Sequence, residues 1–119
     1  MKLQESGEMY LETIYVLQEK KSFVRSIDVA TEMNFSKPSI SRAMGILRTN
    51  GYLTIAPDGK ITLTDEGLRI AQKTYERHNV LTAAFIKIGV DPKVAEEDAC
   101  RVEHVISDET FACIKKALQ

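Results

Sequence analysis

Cys100, Glu103 and His104 place a thiol, a carboxylate and an imidazole at spacings i, i+3 and i+4. A helix through this stretch gathers all three on one face. Such a set of soft and hard donors suits a divalent transition metal, whereas calcium and magnesium sites use oxygen alone. Glu96 lies one turn back on the same stripe, and Met9 and Glu12 share a face elsewhere at i, i+3. His78 adds a second imidazole. No paired CxxC spacing marks a structural zinc site. Each residue also has a structural reading, since a buried cysteine commonly packs as a small core residue and a lone histidine is commonly hydrogen-bonded. Both readings of the cluster stand at this point. Cys113 has no partner at a useful spacing and is assigned to packing.

The elements that carry these residues can be read from periodicity and punctuation. Met9, Leu11, Ile14, Tyr15 and Leu17 mark a first helix that ends in Glu19-Lys20-Lys21. Ser26 is the expected cap of a short second helix through Ile27, Val29, Ala30 and Met33, which Asn34 stops. Ser36 caps a third, with Pro38 in its first turn and a buried stripe of Ile40, Ala43, Met44 and Leu47. Asn50-Gly51 closes it in the manner of a left-handed cap.

The period then changes. Residues 52–55 and 60–63 alternate and are rich in β-branched residues, and Ala56-Pro57-Asp58-Gly59 between them is a turn sequence, which predicts a two-stranded hairpin. Thr64 caps a long fourth helix that should run to Ile88, before Gly89. Asp91-Pro92 opens a fifth through Val105, carrying the cysteine, glutamate and histidine. Ser107 caps a sixth with Phe111, Ile114 and Leu118. The fold expected is mainly α, a winged helix-turn-helix at 1–63 followed by a helical dimerisation and metal-binding region at 64–119.

With 119 residues there is room for one core of ordinary domain size but not for a catalytic domain beside a regulatory one. A 44% apolar, 28% charged chain is globular in balance, with no apolar run long enough to span a membrane. The amino-terminal MKLQESGEMY has no apolar segment of a signal peptide, so the chain is read as cytoplasmic, a setting that disfavours a disulfide between Cys100 and Cys113. The net charge of −1 conceals an asymmetry. Lys37, Arg42, Arg48 and Lys60 against Asp58 make residues 34–60 basic by +3. Seven acidic residues against Lys93 and Arg101 make residues 91–109 acidic by −5. One part is suited to phosphates and the other to cations.

In a winged helix the third helix enters the major groove with its amino-terminal residues at the base edges. Ser36, Lys37, Pro38, Ser39, Ser41 and Arg42 occupy that end, with the polar ones off the apolar stripe. Arg42 is the candidate guanine contact and Lys60, at the hairpin, a phosphate contact. Solvated polar residues would look the same, and winged helices also serve as protein-interaction modules. No nucleophile or oxyanion arrangement accompanies the ligand candidates, so an enzyme is not expected.

EMYLETIY at 8–15, SKPSIS at 36–41, Arg77-His78, and DACRVEHVISDE at 98–109 together resemble the iron-dependent repressors typified by the diphtheria toxin repressor, and their shorter manganese-responsive relatives. The resemblance runs through nearly the whole chain. It implies that Met9, Cys100, Glu103 and His104 match the activating site of the iron-type proteins and that His78 matches a second site. Thr82 and Glu96 depart from that pattern, standing where the iron-type proteins place a glutamate and a histidine. Glu12 looks like the manganese-type arrangement, so the ligand set is a hybrid. The chain stops after the sixth helix and so looks like a short form without the SH3-like domain. The expected function is metal-dependent repression of metal-uptake genes, with iron(II) or manganese(II) as corepressor and a homodimer bound to a palindromic double-stranded DNA operator. A metal-independent winged-helix regulator answering another ligand is the alternative, with a protein-interaction module behind it.

Overall fold

The structure is a computed structural model and describes residues 4–119; Met1, Lys2 and Leu3, with which the leader and domain readings above begin, lie outside it. Its elements are α1 (Glu5–Lys20), α2 (Ser26–Met33), α3 (Lys37–Thr49), β1 (Leu53–Ile55), β2 (Ile61–Leu63), α4 (Asp65–Lys87), α5 (Pro92–Val102) and α6 (Asp108–Leu118). They form two compact units, the first ending at Gln72 and the second spanning Lys73–Gln119, so the break falls within α4. No helix among the described residues is long and apolar enough to cross a membrane.

The first unit is built on apolar stripes. Leu11, Ile14 and Leu17 of α1, Val29 and Ala30 of α2, and Ile40, Met44 and Leu47 of α3 close on Val24, Tyr52, Leu53 and Ile61. Full burial of each large aliphatic side chain contributes about 1.5–3 kcal/mol before the entropy of ordering it. Ala71 joins this core and Ile70 packs against it, which is why the start of α4 belongs with the first unit. The hairpin is antiparallel, pairing Leu53 with Leu63 and Ile55 with Ile61. The Ile61 amide also donates to the Val24 carbonyl at 2.8 Å, anchoring the hairpin to the α1–α2 connection.

Helix ends follow the local chemistry of the sequence. After α3, the Gly51 amide reaches Arg48 O and the Tyr52 amide reaches Leu47 O, with Gly51 at φ +84°. The same double bond closes α2 through Asn34, at φ 58°. These are Schellman caps, which need one left-handed residue. Ser36 caps α3 by accepting from the Ser39 amide at 3.3 Å, and Thr64 caps α4 by accepting from the Gly67 amide at 3.2 Å. Thr64 also donates to the Gly51 carbonyl at 2.7 Å. One expectation is corrected: Ser26 is the first residue of α2 and not its cap. The terminus is instead tied by Asp28, whose carboxylate accepts from the Arg25 amide at 2.8 Å and pairs with Lys21. An ionised carboxylate in the first turn is favoured by the positive end of the helix and by the strength of its hydrogen bond.

In the second unit the rest of α4 packs with α5 and α6. Asp91 caps α5 through the Lys93 amide and Ser107 caps α6 through the Thr110 amide. Lys115 pairs with Glu76 at 3.0 Å, and Lys73 with Asp108 at 3.2 Å. Towards their far ends α4 and α6 form an apolar groove lined by Ala84, Phe85, Ile88, Ile114, Ala117 and Leu118. A second correction concerns α5, which ends at Val102 and not at Val105. Residues 103–105 form a turn, where the Glu103 carbonyl accepts from Arg77.

Candidate metal centre and nucleic-acid interface

Glu103 is the C-cap of α5, in right-handed helical conformation with its amide donating to the Ala99 carbonyl at 2.9 Å. Its side chain is 0% exposed, against 2% for His104 and 20% for His78. Oε2 of Glu103 lies 3.0 Å from His78 Nδ1, and Oε1 lies 3.3 Å from His104 Nε2. Two imidazoles from different parts of the chain therefore converge on one buried carboxylate. On its other edge His78 has Nε2 3.9 Å from Glu96 Oε1, so the ring stands between two carboxylates. Thr82, one turn along α4, uses its hydroxyl to donate to the His78 carbonyl at 2.7 Å.

A buried carboxylate needs compensation, because desolvating an ion costs several kcal/mol even after relaxation. Glu103 obtains one hydrogen bond, to His78, while its Oε1 is buried without a hydrogen bond. That oxygen lies 3.3 Å from His104 Nε2, and carboxylate oxygen and neutral imidazole nitrogen are both metal-competent donors. The set of carboxylate and imidazole donors fits a divalent transition ion. Cys100 lies in the last turn of α5, half-buried, with its thiol free of any disulfide. Met9 and Glu12 lie one turn apart on α1, and Glu12 has a buried carboxylate oxygen. Cys113 is exposed on α6, which corrects the assignment of that residue to packing.

A contribution not read from the sequence comes from Arg77, the neighbour of His78. It is 8% exposed, and its Nη1 donates to the carbonyls of Glu103 at 3.2 Å and Ile106 at 2.8 Å. Its Nη2 pairs with the Asp108 carboxylate, and its guanidinium lies over the Phe111 ring. Lys73 first, and Arg77 after it, hold the Asp108 carboxyl below the usual aspartate range. The available signal was that Arg77 falls on the inward stripe of α4, with buried Thr74 and Leu81 on either side.

On the first unit, Ser36, Lys37, Pro38, Ser39, Ser41 and Arg42 are all exposed at the start of α3. Ser36 and Ser39 are joined hydroxyl to hydroxyl at 2.8 Å, so one arm of the Ser36 group serves the cap and the other its neighbour. Lys37, Ser41 and Arg42 lie off the buried Ile40, Met44 and Leu47 stripe, with Arg42 on the side opposite it. Beside the hairpin, Arg25 and Lys60 both approach the face of Phe23, at 5.2 and 6.0 Å. Two cations held over one ring give this edge of the unit a positive potential.

Comparison with known proteins matches these two parts separately. The family profile described as iron dependent repressor, N-terminal DNA binding domain, matches residues 2–61. The one described as iron dependent repressor, metal binding and dimerisation domain, matches residues 64–119. The chain is 33% identical over 102 residues to the transcriptional regulator MntR of Escherichia coli O6:H1, covering 86% of this chain and 66% of the relative. It is 32% identical to the diphtheria toxin repressor of Corynebacterium glutamicum over 90% of this chain and 47% of that protein. A helix-turn-helix transcriptional regulator of Methanocaldococcus jannaschii is 30% identical, covering 95% of this chain and 92% of that one. Among solved structures, a manganese-dependent transcriptional repressor in complex with manganese superposes with a TM-score of 0.85 at 27% identity, covering 94% of this chain and 52% of that one. The chain thus spans about two thirds of the MntR relative and about half of the diphtheria toxin repressor. With both domain profiles matched in order and relatives at this level of identity, the chain belongs to the iron-dependent repressor family.

Proposed function

We propose that the chain acts as a metal-activated, DNA-binding transcriptional repressor of metal-uptake genes, a cytoplasmic homodimer with iron(II) or manganese(II) as corepressor, and not as an enzyme. The observation that carries this reading is the buried Glu103 carboxylate flanked by His78 and His104, in the segment that matches the metal-binding domain. Residues 1–63 are the DNA-reading part and residues 64–119 the metal-binding and dimerisation part. The proposed ligands are Glu103, His104, Cys100 and His78, with Met9 and Glu12 contributed by α1. Ser36, Lys37, Pro38, Ser39, Ser41 and Arg42 meet the operator, with Lys60 on a phosphate.

A bound divalent ion supplies positive charge that a cluster of carboxylates and imidazoles otherwise lacks. Glu103 offers Oε1, which no hydrogen bond occupies, and Oε2 orients the His78 ring through Nδ1. Met9 and Glu12, the candidates on α1, belong to the helix that shares a core with α3. Metal occupancy then changes the freedom of the reading helix, a coupling typically worth about 1–3 kcal/mol. The apolar groove between α4 and α6, lined in part by the exposed Ile88, suits a second copy. Two symmetry-related reading helices fit palindromic half-sites one helical turn apart or a multiple of it.

The test is fluorescence anisotropy on duplex DNA from upstream of the chain's own gene and of neighbouring metal-transport genes, under anaerobic conditions, with chelator, iron(II) or manganese(II). Tight binding only with metal supports the reading. Binding that ignores both metal and chelator overturns the sensor.

A further inference from the structure

We infer that Arg77 is a positioning residue for the metal-binding side chains: its guanidinium clamps the turn at 103–106 and thereby sets where Glu103 and His104 point. The inference rests on the metal-centre reading above. Glu103 is the C-cap of α5, its amide still bonded to the Ala99 carbonyl, and His104 lies in the turn that follows, so the Glu103 carbonyl is held from outside the helix. Their backbone is held at both ends of the turn, because Nη1 of Arg77 takes the carbonyls of Glu103 and Ile106 together.

The clamp comes from the residue next to His78, so one short piece of α4 supplies both an imidazole and the fixture for the carboxylate that meets it. Adjacent positions on a helix are about 100° apart around its axis. One can therefore face the turn backbone while the other faces the Glu103 carboxylate. The 3.0 Å contact between His78 Nδ1 and Glu103 Oε2 is thus set by a fixture one residue away. Asp108, at the start of α6, holds the other guanidinium nitrogen, and the Phe111 ring lies against the group. This ties the start of α6 to the same turn.

Only a planar fork with several donors serves two carbonyls and a carboxylate at once; an ammonium is a point charge that cannot replace it. Outer-shell partners that orient ligands typically change metal affinity about 10- to 100-fold when removed.

Competition titration of the full chain with manganese(II) and a fluorescent chelator tests the clamp, alongside thermal melting of the metal-free protein and the visible spectrum of the cobalt(II) form. Arg77→Gln is expected to weaken manganese affinity about 10- to 100-fold and to alter the cobalt spectrum, with Arg77→Lys restoring only part of the loss. Lys115→Ala, which breaks the Lys115–Glu76 ion pair, should leave affinity within about twofold, because both side chains of that pair are exposed. If Arg77→Gln does not fold, Asp108→Ala decides, since that side chain is 79% exposed and its loss leaves no cavity. Weaker metal binding by this variant supports the clamp. Wild-type affinity and spectrum in the folded variants overturn it. Failure of the wild-type chain to bind manganese or cobalt removes the metal centre and the clamp together, and is recognised because the parent protein fails as well.

Discussion

Replacing Glu103 with glutamine keeps the volume of the side chain and one acceptor but deletes the charge. In the metal-free protein two consequences oppose each other. A hydrogen bond to a charged group contributes about 1.5–3 kcal/mol and a neutral one about 0.5–1.5, so the contact with His78 loses on the order of 1–1.5 kcal/mol. The desolvation penalty of a fully buried carboxylate, several kcal/mol, disappears at the same time. Metal-free Glu103→Gln should therefore be as stable as the parent to within about 2 kcal/mol, or more stable. Metal binding moves only one way, because a neutral amide oxygen replaces an anionic one in a site shielded from water. A loss of at least about 100-fold is expected, equivalent to about 2.7 kcal/mol.

The assay is thermal melting against manganese(II) concentration. Metal at about 100 times the parent's dissociation constant stabilises it by about 2.7 kcal/mol; the same concentration stabilises the variant by only about 0.4 kcal/mol. With roughly 4 °C per kcal/mol for a domain of this size, the metal-induced shift falls from about 11 °C to about 2 °C. A variant that keeps the full shift would show that Glu103 only anchors the two histidines and ligates nothing.

Arg42→Ala should weaken operator binding by about 1–3 kcal/mol while changing affinity for unrelated duplex much less; an equal loss on both DNAs in anisotropy would make it a phosphate contact. Gly67→Ala should destabilise the first unit by about 2–4 kcal/mol in urea denaturation, because an added Cβ would lie 2.0 Å from the Tyr52 carbonyl oxygen, and that carbonyl is held by the Thr64 amide. A change under about 0.5 kcal/mol would refute the close approach. Asp108 is held below its ordinary value of 3.8 by Lys73 and then Arg77, so its contribution is present above that value and is lost as pH falls through the lower, folded one. Asp108→Asn should accordingly flatten the acid limb of stability below about pH 4 and change little of its slope at neutral pH, as read from urea midpoints across that range.

The helices, caps and hairpin were legible because each depends on residues a few positions apart. The stripe of Ile40, Met44 and Leu47, the left-handed closures at Asn34 and Gly51, and the serine caps at 36 and 107 all stand where spacing and side-chain chemistry place them. Where a local signal had a stronger neighbour it misled, as when the Asp28 carboxylate, and not Ser26, tied the start of α2. The types of the metal-competent side chains were also plain, since thiol, carboxylate and imidazole announce their own chemistry.

How those groups meet depended on packing. Helical spacing put Cys100, Glu103 and His104 on one face, yet α5 ends at Val102 and Arg77 donates to the Glu103 and Ile106 carbonyls of the connection that follows. His78 stands 25 positions before Glu103, and no periodicity relates residues at that separation; only the folding of α4 against the α5–α6 connection brings them to 3.0 Å. A buried arginine on an apolar stripe likewise has no meaning until the carbonyls and the Asp108 carboxylate that satisfy it are in place. Periodicity is a property of the backbone and is written locally, whereas the compensation of a buried charge is a property of whatever the fold brings beside it.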